Sequence, residues 1–411
     1  MTDDAVQAQY EAHPYPARDP RDEAKRLITG SPSHILELNH YVFAGRRDFR
    51  KPFRALVAGG GTGDGAIMLA QHLADIQSPG EVVYVDISTA ARRVAEARAK
   101  ARKLANIQFH TMALGDVATL GAFDYIDCCG VLHHLDDPAV GLRSLASVLA
   151  PGGGMGLMVY GELGRTGVYP TQDLLRLIGR GLDGADKLGL ARRLTGALPS
   201  TNWLARNPFI RDWIAGGDAG LVDLLLHSRD RAYRVPELAA LVGSAGLRIV
   251  QLIEPAGYDP TNYVTDPQLK KRFETLDTVE RWSAAELLAG NMAKHVAYVV
   301  KADAPDSVAA LDAPDAVPAW RDLDAEAFAK SHRRGEPLRA AIDGAAFRFA
   351  LPPLAAAMAT RIDGRRSLGD IHSDLLKSNP ALDWAAFAAQ YAVLHRALNG
   401  VGKLYLTTLA V

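Results

Sequence analysis

Two adjacent histidines, His133 and His134, stand in the phrase GVLHHLDDP. An imidazole titrates near neutrality, so it takes a proton from a hydroxyl, an amine or an acidic carbon as that group becomes a nucleophile. His133 is the candidate catalytic base. The competing expectation is that the pair simply packs the turn it sits on. Metal binding by two neighbours is geometrically awkward, and no metal site is expected. A second group with chemistry in it is the glycine-dense loop Gly59-Gly60-Gly61-Thr62-Gly63-Asp64-Gly65, followed by Asp86 at the end of the next apolar run. Glycines let backbone pass close to a ligand, and an acid in that place can hold the two hydroxyls of a ribose. Cys128 and Cys129 would need a base and an electropositive pocket to act as nucleophiles, and the sequence offers neither.

These groups need a framework, and the hydrophobic pattern supplies one. Ala55 to Ala58 reads as a buried strand ahead of the glycine loop, Ala66 to Ala70 begins a helix, and Glu81 to Val85 is a second strand ending on Asp86. A charged helix over Thr89–Leu104, a strand at Ile107–His110, a strand at Phe123–Cys129, a helix at Ala139–Leu149 and a strand at Met155–Tyr160 follow. Strands alternating with helices at this spacing predict an α/β fold with a parallel sheet covered on both faces. From Gly161 to Arg234 the alternation stops. Helical patterns at Asp173–Ile178, Lys187–Leu198 and Asp218–His227 read as a cap inserted into the sheet. A helix at Pro236–Ala245, a strand at Arg248–Glu254, one long helix at Gln268–Lys294 and a strand at His295–Lys301 complete it.

Expected units are therefore an N-terminal lid and helical segment (1–50), a core (51–160), the cap (161–234), the end of the sheet (235–302), a linker rich in Ala, Asp and Pro (303–320) and a C-terminal module (321–411). The module should hold a strand at Phe347–Leu351, helices at Leu354–Ile362, Ser367–Leu376 and Trp384–Leu398, and a strand at Lys403–Leu409. It is large enough to fold alone, and its element order suggests a small winged-helix type α+β domain. At 411 residues, net charge −1 and 48% apolar residues, the chain should be globular, with no basic field for nucleic acid and no run long enough for a membrane span. Two cysteines and a polar, acidic opening stretch suit the cytoplasm.

Gly61-Thr62-Gly63-Asp64-Gly65-Ala66 also fits a dinucleotide loop in its alanine form. Asp64 argues against that reading, because a carboxylate repels a pyrophosphate and attracts a cation. S-adenosylmethionine, with a sulfonium and an ammonium, suits an acidic loop better. The blocks VAGGGTGDG, VVYVDIS, FHTMALGDV, FDYIDCCGVLHHLDDP and LAPGGGMGLMVY, in this order, closely resemble the class I S-adenosylmethionine-dependent methyltransferases. The resemblance covers Arg54 to Tyr160, with weaker matches at RVPELAALVGSAGLRIVQL and HVAYVVKA. It implies a Rossmann-like seven-stranded methyltransferase sheet and S-adenosyl-L-methionine as cofactor. By the same resemblance Gly59, Gly61 and Gly63 lie under the methionine moiety with Ala58 and Gly60 beside them, and Asp86 takes the ribose. Ile87, Met112, Ala113 and Leu114 meet the adenine, and Cys129 and Gly130 face the methyl-bearing end.

Acceptor recognition is expected outside the core, at Tyr15 in the lid, at Tyr160, Arg165 and Tyr169 in YGELGRTGVY, and at His227 and Tyr233 in HSRDRAY. YEAHPYP with YGELGRTGVY resembles a bacterial methyltransferase subgroup that often carries extra domains. IDGRRSLGDI resembles a phrase of PqqD-like peptide-binding modules. The reading is an enzyme moving a methyl group to O, N or C of a small molecule. The alternatives are a protein or peptide acceptor guided by the C-terminal domain, or a non-catalytic S-adenosylmethionine-binding regulator. The partner is a small-molecule or peptide acceptor, with no nucleic acid and no membrane, and a homodimer is left open.

Overall fold

The structure, a computed structural model, describes residues 4–332 and 336–407. Its centre is one seven-stranded sheet: β1 (Arg54–Ala58), β2 (Glu81–Asp86), β3 (Ile107–Thr111), β4 (Phe123–Cys129), β5 (Leu149–Tyr160), β6 (Leu247–Ile253) and β7 (Lys294–Lys301), in the order β3-β2-β1-β4-β5-β7-β6. The first five strands are parallel, and β7 runs antiparallel between β5 and β6. β1 shows why the sheet is a core element. Leu56 and Ala58 face one buried cluster while Ala55 and Val57 face another, so alternate residues fill the two sides of one sheet. The strand order reverses at β1, and the loops after β1, β2 and β4 open on the same edge. Ligands of open parallel sheets sit in that crevice.

Helices α1 (Asp4–Ala12), α2 (Ile35–Tyr41), α3 (Asp64–Asp75), α4 (Thr89–Ala101) and α5 (Pro138–Ser147) surround the first half of the sheet. The N-terminal segment is not an extended strap throughout: α1 is a helix docked on α4. Glu11 accepts from the Thr89 and Ala90 N–H groups, which places a carboxylate at the open N-terminus of α4. The chain then crosses the glycine loop, where Thr62 Oγ1 donates to the Pro16 carbonyl at 2.7 Å.

The cap consists of α6 (Val168–Ile178), α7 (Gly184–Gly196), α8 (Trp203–Arg206), α9 (Asp212–Ala215) and α10 (Gly217–Leu225), around its own cluster of Val168, Leu175, Leu204, Leu221, Leu224 and Leu225. After α11 (Val235–Ser244), the expected single helix at 268–294 is two, α12 (Pro267–Glu274) and α13 (Thr278–Ala289). Asp277 accepts from the Glu280 N–H and its own N–H donates to the Glu280 carboxylate, both at 2.9 Å. This capping box starts a new helix. Lys294 opens β7 instead of closing a helix.

Beyond the sheet lie β8 (Val317–Trp320), α14 (Ala325–His332), β9 (Leu338–Ile342), β10 (Ala345–Phe349), α15 (Ala355–Ala359), α16 (Leu368–Leu376), α17 (Trp384–Gly400) and β11 (Leu404–Thr407). β9 and β10 form a hairpin, and β11 pairs antiparallel with β8. The last strand's expected end at Leu409 lies outside the described residues. The stretch 303–320 contains a strand and is pinned to α2: Ser307 Oγ donates to the Tyr41 carbonyl and the Ala309 N–H to the His40 carbonyl. No helix among the described residues is long and apolar enough to cross a membrane.

Candidate functional site

A cavity of about 890 Å³ occupies the crevice at the β1 reversal and runs from the β2 loop to the cap. Gly59, Gly60 and Gly61 form its floor. The room for a side chain there is already taken. A Cβ on Gly59 would stand 2.3 Å from Val131, and one on Gly60 2.3 Å from the Tyr84 ring. Asp86 lines the cavity beside them. Its Oδ2 accepts from the Gly61 N–H at 2.7 Å and its Oδ1 from the Ser88 N–H at 2.8 Å, which fixes the carboxylate and leaves a lone pair on each oxygen. Burial raises its pKa, and the two amides oppose that rise.

Ile87, Met112 and Leu114 line the adjoining wall with Gly115, whereas Ala113 is not part of the lining. Cys129 and Gly130 line the opposite side. Ala58 ends β1 beneath the loop and Gly63 is the left-handed residue ahead of α3, so neither reaches the cavity. Burial pushes both thiols up, Cys128 and Cys129, and keeps them protonated.

The charge argument drawn from Asp64 is corrected by its surroundings. Arg18 Nη2 meets Asp64 Oδ2 at 2.6 Å and the buried Arg98 meets Oδ1 at 2.6 Å. Burial alone would raise this carboxyl; the two guanidinium groups hold it below its ordinary value. Asp64 is therefore already neutralised. The carboxylate left for a cation is Asp127, on β4, which lines the cavity at 2% exposure. Ser33 Oγ donates to its Oδ2. Its Oδ1 is buried without a hydrogen-bond partner, and the Cys129 N–H lies near enough to oppose the effect of burial on the carboxyl. Burial pushes its carboxyl up to about 6. A floor without side chains, an anchored ribose-type acid and a buried carboxylate with one unpaired oxygen fit a nucleoside that carries an ammonium group.

At the cap end, Tyr10, Tyr15, Tyr160, His134 and Asp223 line the cavity. Tyr10 and Tyr160 each donate to Asp223, at 3.1 and 3.0 Å. His134 Nδ1 lies 2.8 Å from the Arg229 carbonyl. A carbonyl only accepts, so Nδ1 carries the proton and Nε2 is the basic nitrogen. Burial lowers the His134 pKa against the pull of Asp223, and burial raises that of Asp223. His227 stacks on His134 with centroids 3.8 Å apart and 19° between planes. Stacked rings keep their lone pairs in separate planes, so His134, Asp223 and His227, although grouped closely, do not converge on one ion as arranged here.

His133 does not line the cavity. Both its nitrogens lack partners, and its ring lies 3.9 Å from that of Tyr160. The Arg165 guanidinium covers Tyr160 at 3.7 Å and pairs with Asp230 at 2.9 Å. Of the six acceptor candidates, Tyr15 and Tyr160 reach the cavity. Arg165, Tyr169, His227 and Tyr233 stand behind: Tyr169 accepts from Arg165, and the Tyr233 N–H donates to the Tyr160 carbonyl. Sequence reasoning missed Asp127, Asp223, Ser33 and Lys294, all of which line the cavity. An acid inside an apolar strand (YIDCC) and another inside an apolar helix (GLVDLLL) were the available signals.

Comparison with known proteins adds relatives. The family model Methyltransf_12, a methyltransferase domain, matches residues 56–155. An uncharacterized protein of Synechococcus sp. is 32% identical over 296 residues, 69% of this chain and 68% of that protein. The ubiquinone biosynthesis O-methyltransferase of Albidiferax ferrireducens is 31% identical over 93 residues, 22% of this chain and 36% of its own. Among solved structures, PKMT2 from Rickettsia typhi in complex with AdoHcy superposes with a TM-score of 0.62 at 14% identity, covering 90% of this chain and 74% of that one. This likeness is one of fold, and it extends past the sheet into the C-terminal segment.

Proposed function

Because this chain belongs to the class I S-adenosylmethionine-dependent methyltransferases, we propose that it transfers the methyl group to an amine or hydroxyl of a small-molecule acceptor, with His134 as the base. The observation that carries this reading is the cap end of the cavity, where the His134 tautomer leaves Nε2 basic beside Tyr10, Tyr160 and Asp223. S-adenosylmethionine supplies a methyl group already activated as a sulfonium, so the protein's task is alignment and proton removal.

Asp86 accepts from the ribose hydroxyls, and Asp127 Oδ1 accepts from the ammonium. Tyr15 and Tyr160 flank the acceptor; Asp223, fixed by two phenols, accepts from a second N–H of an amine acceptor, while for a hydroxyl the single proton faces His134 and Asp223 acts by its charge alone. His134 Nε2 takes the proton, and Asp223 nearby favours the imidazolium that results. His133 and Arg165 sandwich Tyr160 and hold its hydroxyl on Asp223.

No residue beyond Lys294 lines the cavity among the described residues, which favours a small acceptor over a peptide selected by the C-terminal segment. The test is S-adenosylhomocysteine release, followed by mass spectrometry, over a panel of amines and hydroxy compounds. Acceptor-dependent release is expected, and His134→Gln should cut turnover by about 10²–10⁴ while leaving S-adenosylhomocysteine affinity unchanged. Full turnover in that variant would move the base elsewhere. Cofactor binding without turnover on any acceptor would favour the regulatory reading.

A further inference from the structure

Ser31, Pro32 and Ser33 form the part of the cavity wall next to Asp127, and Ser31 and Pro32 are held from behind by groups that do not line the cavity. The hub is Glu37 on α2, which is fully buried. Its Oε1 accepts from Ser31 Oγ at 2.7 Å, from the Tyr405 hydroxyl at 2.8 Å and from Arg321 Nη1. Its Oε2 accepts from the Tyr298 hydroxyl at 2.7 Å. Arg321 Nη1 also reaches Ser31 Oγ at 3.3 Å. The Pro32 carbonyl accepts from Tyr125 at 2.8 Å and shares the single Tyr298 hydroxyl proton with Glu37. Ser33 then donates to Asp127.

We propose that Arg321 and Tyr405 are positioning residues of the cofactor site, acting through Glu37 and the 31–33 segment on Asp127. The C-terminal segment is on this account a working part of that site.

Two arguments support it. A fully buried carboxylate is tolerated only when its lone pairs are satisfied, and here two of the four donors come from beyond the sheet. Without Arg321, Glu37 keeps a buried charge with no countercharge, and Ser31 loses one of its two partners. The wall also has a single seat. Pro32 packs so closely on Gly156 that a Cβ there would come within 2.4 Å of it, so the segment has no inward position to fall back on. An outward movement carries Ser33 away from Asp127.

The inference rests on Asp127 as the ammonium's partner, and calorimetric titration of the full chain with S-adenosylhomocysteine separates the two. Asp127→Asn tests the partner itself: wild-type affinity there removes the basis of the proposal. Given a loss in that variant, Arg321→Met and Ser33→Ala should each weaken binding about tenfold, as lost hydrogen bonds to charged groups do. Arg321→Lys should recover most of the loss. The Arg321→Met/Ser33→Ala double variant should stay near tenfold, because both changes cut one chain of contacts. Tyr405→Phe removes a single hydroxyl, keeps the ring's packing and should weaken binding about threefold. The proposal is overturned if Arg321→Met lowers the melting temperature but binds as wild type, or if the two losses multiply to about a hundredfold. It is equally overturned if Arg321→Met is insoluble and Tyr405→Phe binds as wild type.

Discussion

At His134 the Nδ1 proton is committed to the Arg229 carbonyl, and burial lowers the ring's pKa, so the side chain is a neutral base at pH 7. Turnover measured at saturating cofactor should therefore hold as pH falls to 6.5, the ordinary histidine value, and drop only below it. An acid limb above that value would contradict the assignment. Asp127 makes a different prediction, because its carboxyl titrates at about 6 in the folded chain against an ordinary 3.8. The fold thus binds this proton more tightly than the unfolded chain does. Ionised Asp127 costs stability above about pH 6, and that cost is relieved as pH falls from 6 towards 3.8. Asp127→Asn should raise the melting temperature of the ligand-free protein at pH 7 and weaken S-adenosylhomocysteine binding. The parent protein should lose affinity below about pH 6, and Asp127→Asn should abolish that dependence. A variant that is both less stable and unaltered in affinity would sink this account. The sequence favoured His133 over His134 as the base, and the structure reverses the order, since His134 and not His133 lines the cavity. What separates them is the Arg229 carbonyl, ninety-five positions away, which no local pattern announces.

The glycine loop is the element whose form follows most directly from its residues. Gly60→Ala would drive a Cβ to 2.3 Å from the Tyr84 ring, whose hydroxyl donates to the Gly61 carbonyl at 2.6 Å. The expected cost is about 1–3 kcal/mol of stability, together with loss of S-adenosylhomocysteine binding. A fully stable variant with intact binding would show that the floor yields. β1, β2 and β4 were legible because strands buried on both faces read as apolar runs, while the edge strand β3, IQFHT, has no buried residue and was legible from its alternation. The break between α12 and α13 was written in Asp277 and Glu280, but an intact 3.6-residue pattern across a cap reads as one helix. Asp64 was misread for a related reason: its sequence neighbours are glycines, and its two arginines arrive from the N-terminal segment and from α4.

For the whole molecule, the C-terminal segment packs an apolar cluster of its own around Phe387, Leu394 and Leu404 and is also tied to α2. Tyr41 donates to Asn399 at 2.9 Å, Asn39 to Thr407 at 2.7 Å, and the Leu406 N–H to His40 at 3.1 Å. A chain ending at Ala316 would uncover Tyr41 and Glu37, now 2% and 0% exposed. It should lose most of its affinity for S-adenosylhomocysteine and melt lower than the full chain. Full-length affinity in the truncated protein would mean that the sheet holds the wall unaided. The contact between Tyr405 and Glu37 joins positions 368 residues apart. At a synthesis rate of about 5–20 residues per second, Glu37 waits on the order of twenty seconds or more for Tyr405 to leave the ribosome. A nascent chain that has passed Lys301 but not reached Arg321 has its glycine loop and its sheet but lacks two of the four donors to Glu37. If Arg321 and Tyr405 position the wall as proposed, their arrival sets when the site becomes competent.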